Sequence, residues 1–171
     1  MFLIIIIAII LFFVVLIAYG KNKEKKNNEI LTEQGYSVDK KIVSGKYLAG
    51  HPEIDNPVNS TTLFFIDKKL VIMQTEVFEE PKKLAEIYFD KISNITIEDK
   101  TTIEKRVTVT RLLLTGIFAF ALKKNKKTEV AYLVIDWNDD KFNHETIFEY
   151  TNKEAMQSAN TARNALIKLV K

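Results

Sequence analysis

The chain has no cysteine, which excludes disulfides, thiolate metal sites and a cysteine nucleophile. Glycine (5) and proline (3) are too few for a low-complexity or collagen-like chain. Charge of one sign is also scarce: the net charge is only +3 over 171 residues. No basic block with interleaved aromatics marks a nucleic-acid partner. There is no Gly-rich phosphate loop, no Gly-x-Ser-x-Gly and no His-Glu-x-x-His pattern. The carboxylate pairs Glu79-Glu80 and Asp139-Asp140 are adjacent, so they diverge instead of converging on a substrate. The histidines, His51 and His144, have no second ligand at metal spacing, and His51, in GHPEID, reads as a solvated loop residue. Residues 136–140 resemble a calcium loop only briefly. Lys141 stands where Gly is needed and Ile147 where the bidentate Glu belongs, so a polar turn is expected. These absences point to a chain without cofactor or metal that is not an enzyme.

What is present is concentrated at the start. Residues 2–18, FLIIIIAIILFFVVLIA, contain no polar side chain. Seventeen helical residues span roughly 26 Å, near the ~30 Å of a bilayer's hydrocarbon core. Tyr19 follows where interfacial aromatics belong. Nothing basic precedes the run, and Ile17-Ala18-Tyr19 is a poor cleavage site, so an uncleaved single-pass anchor over residues 1–20 is expected. Lys21, Lys23, Lys25 and Lys26 follow directly, opposed only by Glu24. Such a cluster stays on the cytoplasmic side, which predicts a cell-membrane protein with its domain in the cytoplasm. The same lysines are candidates for contact with anionic headgroups. Residues 21–41 read as a polar juxtamembrane linker, helical over 29–34 and ended by Gly35.

From Ile42 the signals are those of strands. TTLFFI (61–66) and LVIMQT (70–75), split by Asp67-Lys68-Lys69, predict a hairpin. EIYFD (86–90) and ISNITIE (92–98) follow, with a phase break at Ser93-Asn94 that predicts a bulge. RVTVTRLLL (106–114) and GIFAFAL (116–122) read as two more strands, VAYLVIDW (130–137) and TIFEY (146–150) as the last. The apolar stretch 112–122 is too short for a second span. About seven antiparallel strands in a barrel or sandwich are expected.

The period then changes. Thr151-Asn152-Lys153-Glu154 matches a capping box. Ala155, Ala159, Ala162, Leu166 and Leu169 share one helical face to Val170, with small residues early and large ones late, as in a helix that plugs an opening. The fold class is therefore mainly β (α+β), capped by a C-terminal amphipathic helix and preceded by one transmembrane helix.

Three stretches carry a family likeness: TTLFFIDKKLVIMQ, IYFDKISNITIED, and RLLLTGIFAFALKK followed by YLVIDW. With the strand run and final helix, residues 42–171 resemble the bacterial pleckstrin-homology-like, GRAM-related domains of small membrane-anchored proteins of low-GC Gram-positive bacteria. The resemblance implies a binding or scaffolding module and not a catalyst. It does not extend to inositol-phosphate recognition. Lys68 and Lys69 sit at the hairpin tip without the spaced basic partners of lipid-binding relatives.

The lysine-rich turn Lys123, Lys124, Lys126 and Lys127 is the leading candidate for a lipid-surface contact. As a merely structural feature it would guard a sheet edge. Trp137, Phe118, Phe120, Phe142 and Phe148 read as packing residues. Functionally, a tethered module engaging a protein partner or anionic lipid is expected. The alternatives are a structural subunit assembled through its transmembrane helix, where only Ala8 and Ala18 offer small interface residues, and an enzyme of unknown reaction.

Overall fold

The computed structural model describes residues 2–76, 78–103, 129–151 and 153–170. Helix α1 (Phe2–Glu33) is followed by seven strands: β1 (Lys41–Ala49), β2 (Val58–Ile66), β3 (Lys69–Gln74), β4 (Lys82–Tyr88), β5 (Ile92–Glu98), β6 (Val130–Asn138) and β7 (Asn143–Thr151). Helix α2 (Ala155–Val170) ends the chain. The strands form one antiparallel sheet in the order β4-β3-β2-β1-β7-β6-β5. The α+β, mainly β class is as expected. The barrel is not: β4 and β5 stay unpaired, because a 3-10 turn (Phe89–Lys91) joins them where a hairpin would have been needed.

Local chemistry explains the joints. The β2–β3 hairpin turns on Asp67 and Lys68, both at positive φ (49° and 62°), the geometry that matches strand twist. The expected bulge is present, as a register shift between Ile92 and Asn94 against β6. Asp139 closes the β6–β7 turn, its Oδ1 accepting from the backbone N–H of Lys141 (3.0 Å) and Phe142 (2.8 Å). Thr151 belongs to β7 and α2 opens at Ala155, so the expected capping box does not sit at the helix start. The expected strands over 106–114 and 116–122 lie outside the described residues.

One face of the sheet and α2 enclose the main core. Ala155, Ala159, Ala162 and Leu166 pack on Tyr47, Leu63, Leu70, Ile72, Leu133, Ile135 and Phe148. The other face is apolar too. Leu70, Val71, Ile72 and Met73 are all buried in succession, as are residues 131–135 of β6. Strands buried on both sides read as continuous apolar runs and need two covers.

Part of the second cover comes from α1. The segment expected as a linker is instead a helical continuation of the apolar run to Glu33. A Schellman arrangement ends it: Gly35 (φ 86°) donates to Thr32 O and Tyr36 N donates to Leu31 O (2.7 Å). Leu31 is buried against Phe64, Val71 and Met73, with the Tyr36 ring tilted 57° to that of Phe64 at 5.6 Å. Asn27 Nδ2 donates to Glu76 O (3.2 Å) and Glu79 O (2.8 Å) in the β3–β4 connection. Leu31 therefore lies at mid-β3 and Asn27 past its end, so α1 leaves the domain on the β3–β4 side. Burying Leu31 contributes about 2 kcal/mol, and each amide bond about 1 kcal/mol. Leu31→Asp is expected to release residues 21–33 from the sheet while the sheet stays folded. Hydrogen exchange in detergent checks this: amides of 24–33 should lose protection and those of β6 should keep it.

Candidate functional site

The membrane-facing elements come first. Helix α1 is long and apolar enough to cross a membrane, with mean hydropathy 2.8 in its most apolar window. Lys21, Lys25 and Lys26 are exposed just past the apolar run and Lys23 is half-buried. Lys25 pairs with Glu29 and Lys26 with Glu80, each at 4.0 Å, exposed pairs worth little in water. Lys123, Lys124, Lys126 and Lys127 lie outside the described residues, as do Phe118 and Phe120. Lys68 and Lys69 are at the β2–β3 turn, the end of β3 remote from the exit of α1. Lys69 there binds Glu86 Oε1 (2.8 Å) and lies over the Tyr88 ring. Those contacts raise its pKa, chiefly through Glu86.

The histidines are brought together, which spacing did not suggest. His51 is buried, 5% exposed, and not solvated as its loop sequence implied. Its ring stacks on Trp137 at 5.0 Å, and Trp137 meets His144 on its other contact at 4.5 Å. Gly50 makes the approach possible. At φ +101°, a Cβ there would fall 1.7 Å from Glu145 O. His51 Nδ1 accepts from Glu53 N (3.2 Å), which leaves Nε2–H to donate to Glu86 O (3.3 Å). Both ring nitrogens are thus used in closing the open end between β4 and β6. Trp137 Nε1 donates to Thr146 Oγ1 (2.8 Å). His144 Nε2 lies 3.0 Å from Asp139 Oδ2. Backbone N–H from Phe142, then His144, then backbone N–H from Lys141 hold Asp139 down to about 2. Among the described residues no three His, Asp or Glu side chains form a metal-binding group. The cluster is a packed plug in which His51 meets backbone groups, Trp137 the Thr146 hydroxyl and His144 the Asp139 carboxylate.

A groove lies elsewhere, at the edge of β5. Among the described residues no strand pairs the outer side of β5. Helix α2 runs beside it, leaving a groove of about 220 Å³ lined by Ile92, Ser93, Asn94, Ile95, Arg163, Ile167 and Val170. Arg163 Nε donates to Ile95 O (3.0 Å), so the helix already satisfies one carbonyl of the strand. Ser93 and Asn94 are turned back by the bulge: Ser93 Oγ donates to Asp136 O (3.1 Å) and Asn94 Nδ2 to Asp136 Oδ2 (3.1 Å). The two edges differ in charge. The opposite edge, β4, carries exposed Lys82 and Lys83 after Pro81, devices that repel another strand. Between Ile92 and Ile97, β5 carries no charge. The sequence shows ISNITI as a strand, but edge position and the neighbouring helix need the fold.

Comparison with protein-family models, with curated proteins and with solved structures gives no match. The geometry alone therefore carries the reading below.

Burial, partly countered by the Glu86 carbonyl, lowers the pKa of His51. Unfolding then takes up a proton in acid, so stability from His51 is full above the ordinary value near 6.5 and is lost as pH falls towards the lowered one. The urea midpoint in detergent is expected to drop between pH 7.5 and 5.5, and His51→Asn to flatten that slope. An unchanged slope in the variant contradicts the neutral, buried ring.

Proposed function

We propose that the chain is a non-catalytic, membrane-anchored binding module with a pleckstrin-homology-like domain on the cytoplasmic side, which takes an extended segment of a partner protein into the β5–α2 groove. The strand run closed by one helix supports the family reading. The positive cluster Lys21, Lys23, Lys25 and Lys26 past the apolar run supports the sidedness and a contact with anionic lipid.

One observation carries the choice of partner site: among the described residues the outer side of β5 is unpaired, uncharged from Ile92 to Ile97 and flanked by Ile167 and Val170 of α2, while the β4 edge is guarded by lysine. An added strand would gain main-chain hydrogen bonds from β5 and side-chain contact with Ile92, Ile95, Ile167 and Val170. The tether keeps the groove at the bilayer, so a weak segment contact suffices against a partner in the same membrane.

A photo-crosslinking residue at Ser93 in the full chain, in native membranes, tests this. A discrete protein adduct is expected, and Arg163→Glu with Ile167→Glu should abolish it. No adduct, or one indifferent to both substitutions, defeats the reading.

A further inference from the structure

Among the described residues outside α1, four large apolar side chains are exposed: Phe78, Tyr88, Phe142 and Met156. Of these, Phe78 has a ring contact with the apolar helix. Its ring stacks on Tyr19 at 6.3 Å with 15° between the planes. Tyr19 is the first residue after the unbroken apolar run 2–18, which sets its depth at the edge of the hydrocarbon. Phe78 shares that depth, and the two rings remain 69% and 58% exposed, so the described residues leave most of each ring uncovered.

The connection that presents Phe78 is held on both sides of it. Asn27 Nδ2 grips the carbonyls of Glu76 and Glu79, and Lys26 faces Glu80 at 4.0 Å. Asn27 stands about 12 Å along the helix from Tyr19. The tip therefore reaches from the clamp down α1 towards the span. Two of the three glutamates in this connection have side-chain partners: Glu79 Oε2 accepts from Gln74 Nε2 (3.0 Å) and Glu80 faces Lys26.

We propose that the β3–β4 connection is a second membrane contact, with Phe78 seated beside Tyr19 at the headgroup–acyl boundary. Resting on the membrane-anchor reading above, this makes the domain a two-point mount. An aromatic ring at this level is favourable because its apolar face leaves water while its edge stays in the polar layer. A single helix lets a domain swivel about its axis; a ring at the same depth, fixed to the domain, adds a lever against rotation. The membrane-proximal end is then the β3–β4 side, and the β2–β3 turn with Lys68 is the distal end, about 20 Å away along the six residues of β3.

The absence of cysteine makes the test direct. Phe78→Cys, Ile10→Cys and Lys68→Cys, each in the full chain, are spin-labelled and reconstituted in liposomes of phosphatidylcholine and phosphatidylglycerol. Power saturation compares oxygen with a water-soluble nickel chelate. The oxygen-to-nickel accessibility ratio at Phe78 is expected to be several-fold above that at Lys68 and below that at Ile10. A Phe78 ratio equal to that of Lys68, with Ile10 still oxygen-accessible, overturns the second contact and leaves the anchor standing. If Ile10 also matches Lys68, the anchor reading itself fails and the contact with it. Phe78 is exposed, so its substitution leaves the core intact; the native-like circular dichroism expected of each variant confirms that.

Discussion

The sheet is apolar on both faces, and that constraint organises the rest. Four successive buried residues in β3 and five in β6 cannot be served by α2 alone. On the outer side of β2 and β3 the cover is the C-terminal half of α1, through Leu31 on Phe64, Val71 and Met73. On the outer side of β6 and β7 a second cluster gathers Leu48, Tyr132, Val134 and Ile147 around Ile103. Helix α1 is thus part of the domain's packing, and the segment apolar enough to cross a bilayer continues without a break into the folded unit. A flexible tether would leave Leu31 and its three neighbours in water.

Much of this could be read from residue order. The alternating and continuous apolar runs placed β2, β3, β5, β6, β7 and α2, and the phase break at Ser93-Asn94 marked its bulge because a skipped alternation has few other causes. The continuation of α1 was legible only at its end, over 29–34 up to Gly35, and its unbroken course from the apolar run was not. KNKEKKNNEILTE has only Ile30 and Leu31 as large apolar residues, so no stripe announces a docked face. Its attachment is one leucine and one asparagine amide, a signal of two residues in thirteen. His51 failed for another reason. Gly50 and Pro52 flank it like a surface turn, while its burial depends on Trp137 and Glu86, both remote in sequence. A positive-φ glycine against Glu145 O is what folds that loop inward. At the candidate groove, the apolar residues were visible as strand and helix positions, but not their meeting.

The two sheet edges repay comparison. Both end strands expose a row of backbone groups, and both are managed, by different means. Pro81, Lys82 and Lys83 make β4 hostile to any further strand. β5 relies on a bulge and on Arg163 reaching from α2 to Ile95 O. Neither puts a charged side chain on the strand itself, and a guanidinium bond to a carbonyl can be exchanged for another donor. An edge meant only to stay solitary is better served by lysine, as β4 demonstrates within the same molecule.

Mounting and groove are linked through the span's length. On the proposed reading, seventeen apolar residues give roughly 26 Å against about 30 Å of hydrocarbon, so the bilayer would thin or the flanking residues would reach into it. Tyr19 and the stems of Lys21, Lys23, Lys25 and Lys26 can bridge that shortfall. A short span also draws the domain down onto the headgroups, because every residue pulled into the boundary is on a helix that cannot bend away from the sheet while Leu31 and Asn27 hold it. On the proposed reading, the mismatch then sets the height of the β5–α2 groove above the membrane. A docked helix passes that height on to the groove unchanged, whereas a swivelling linker would average it away.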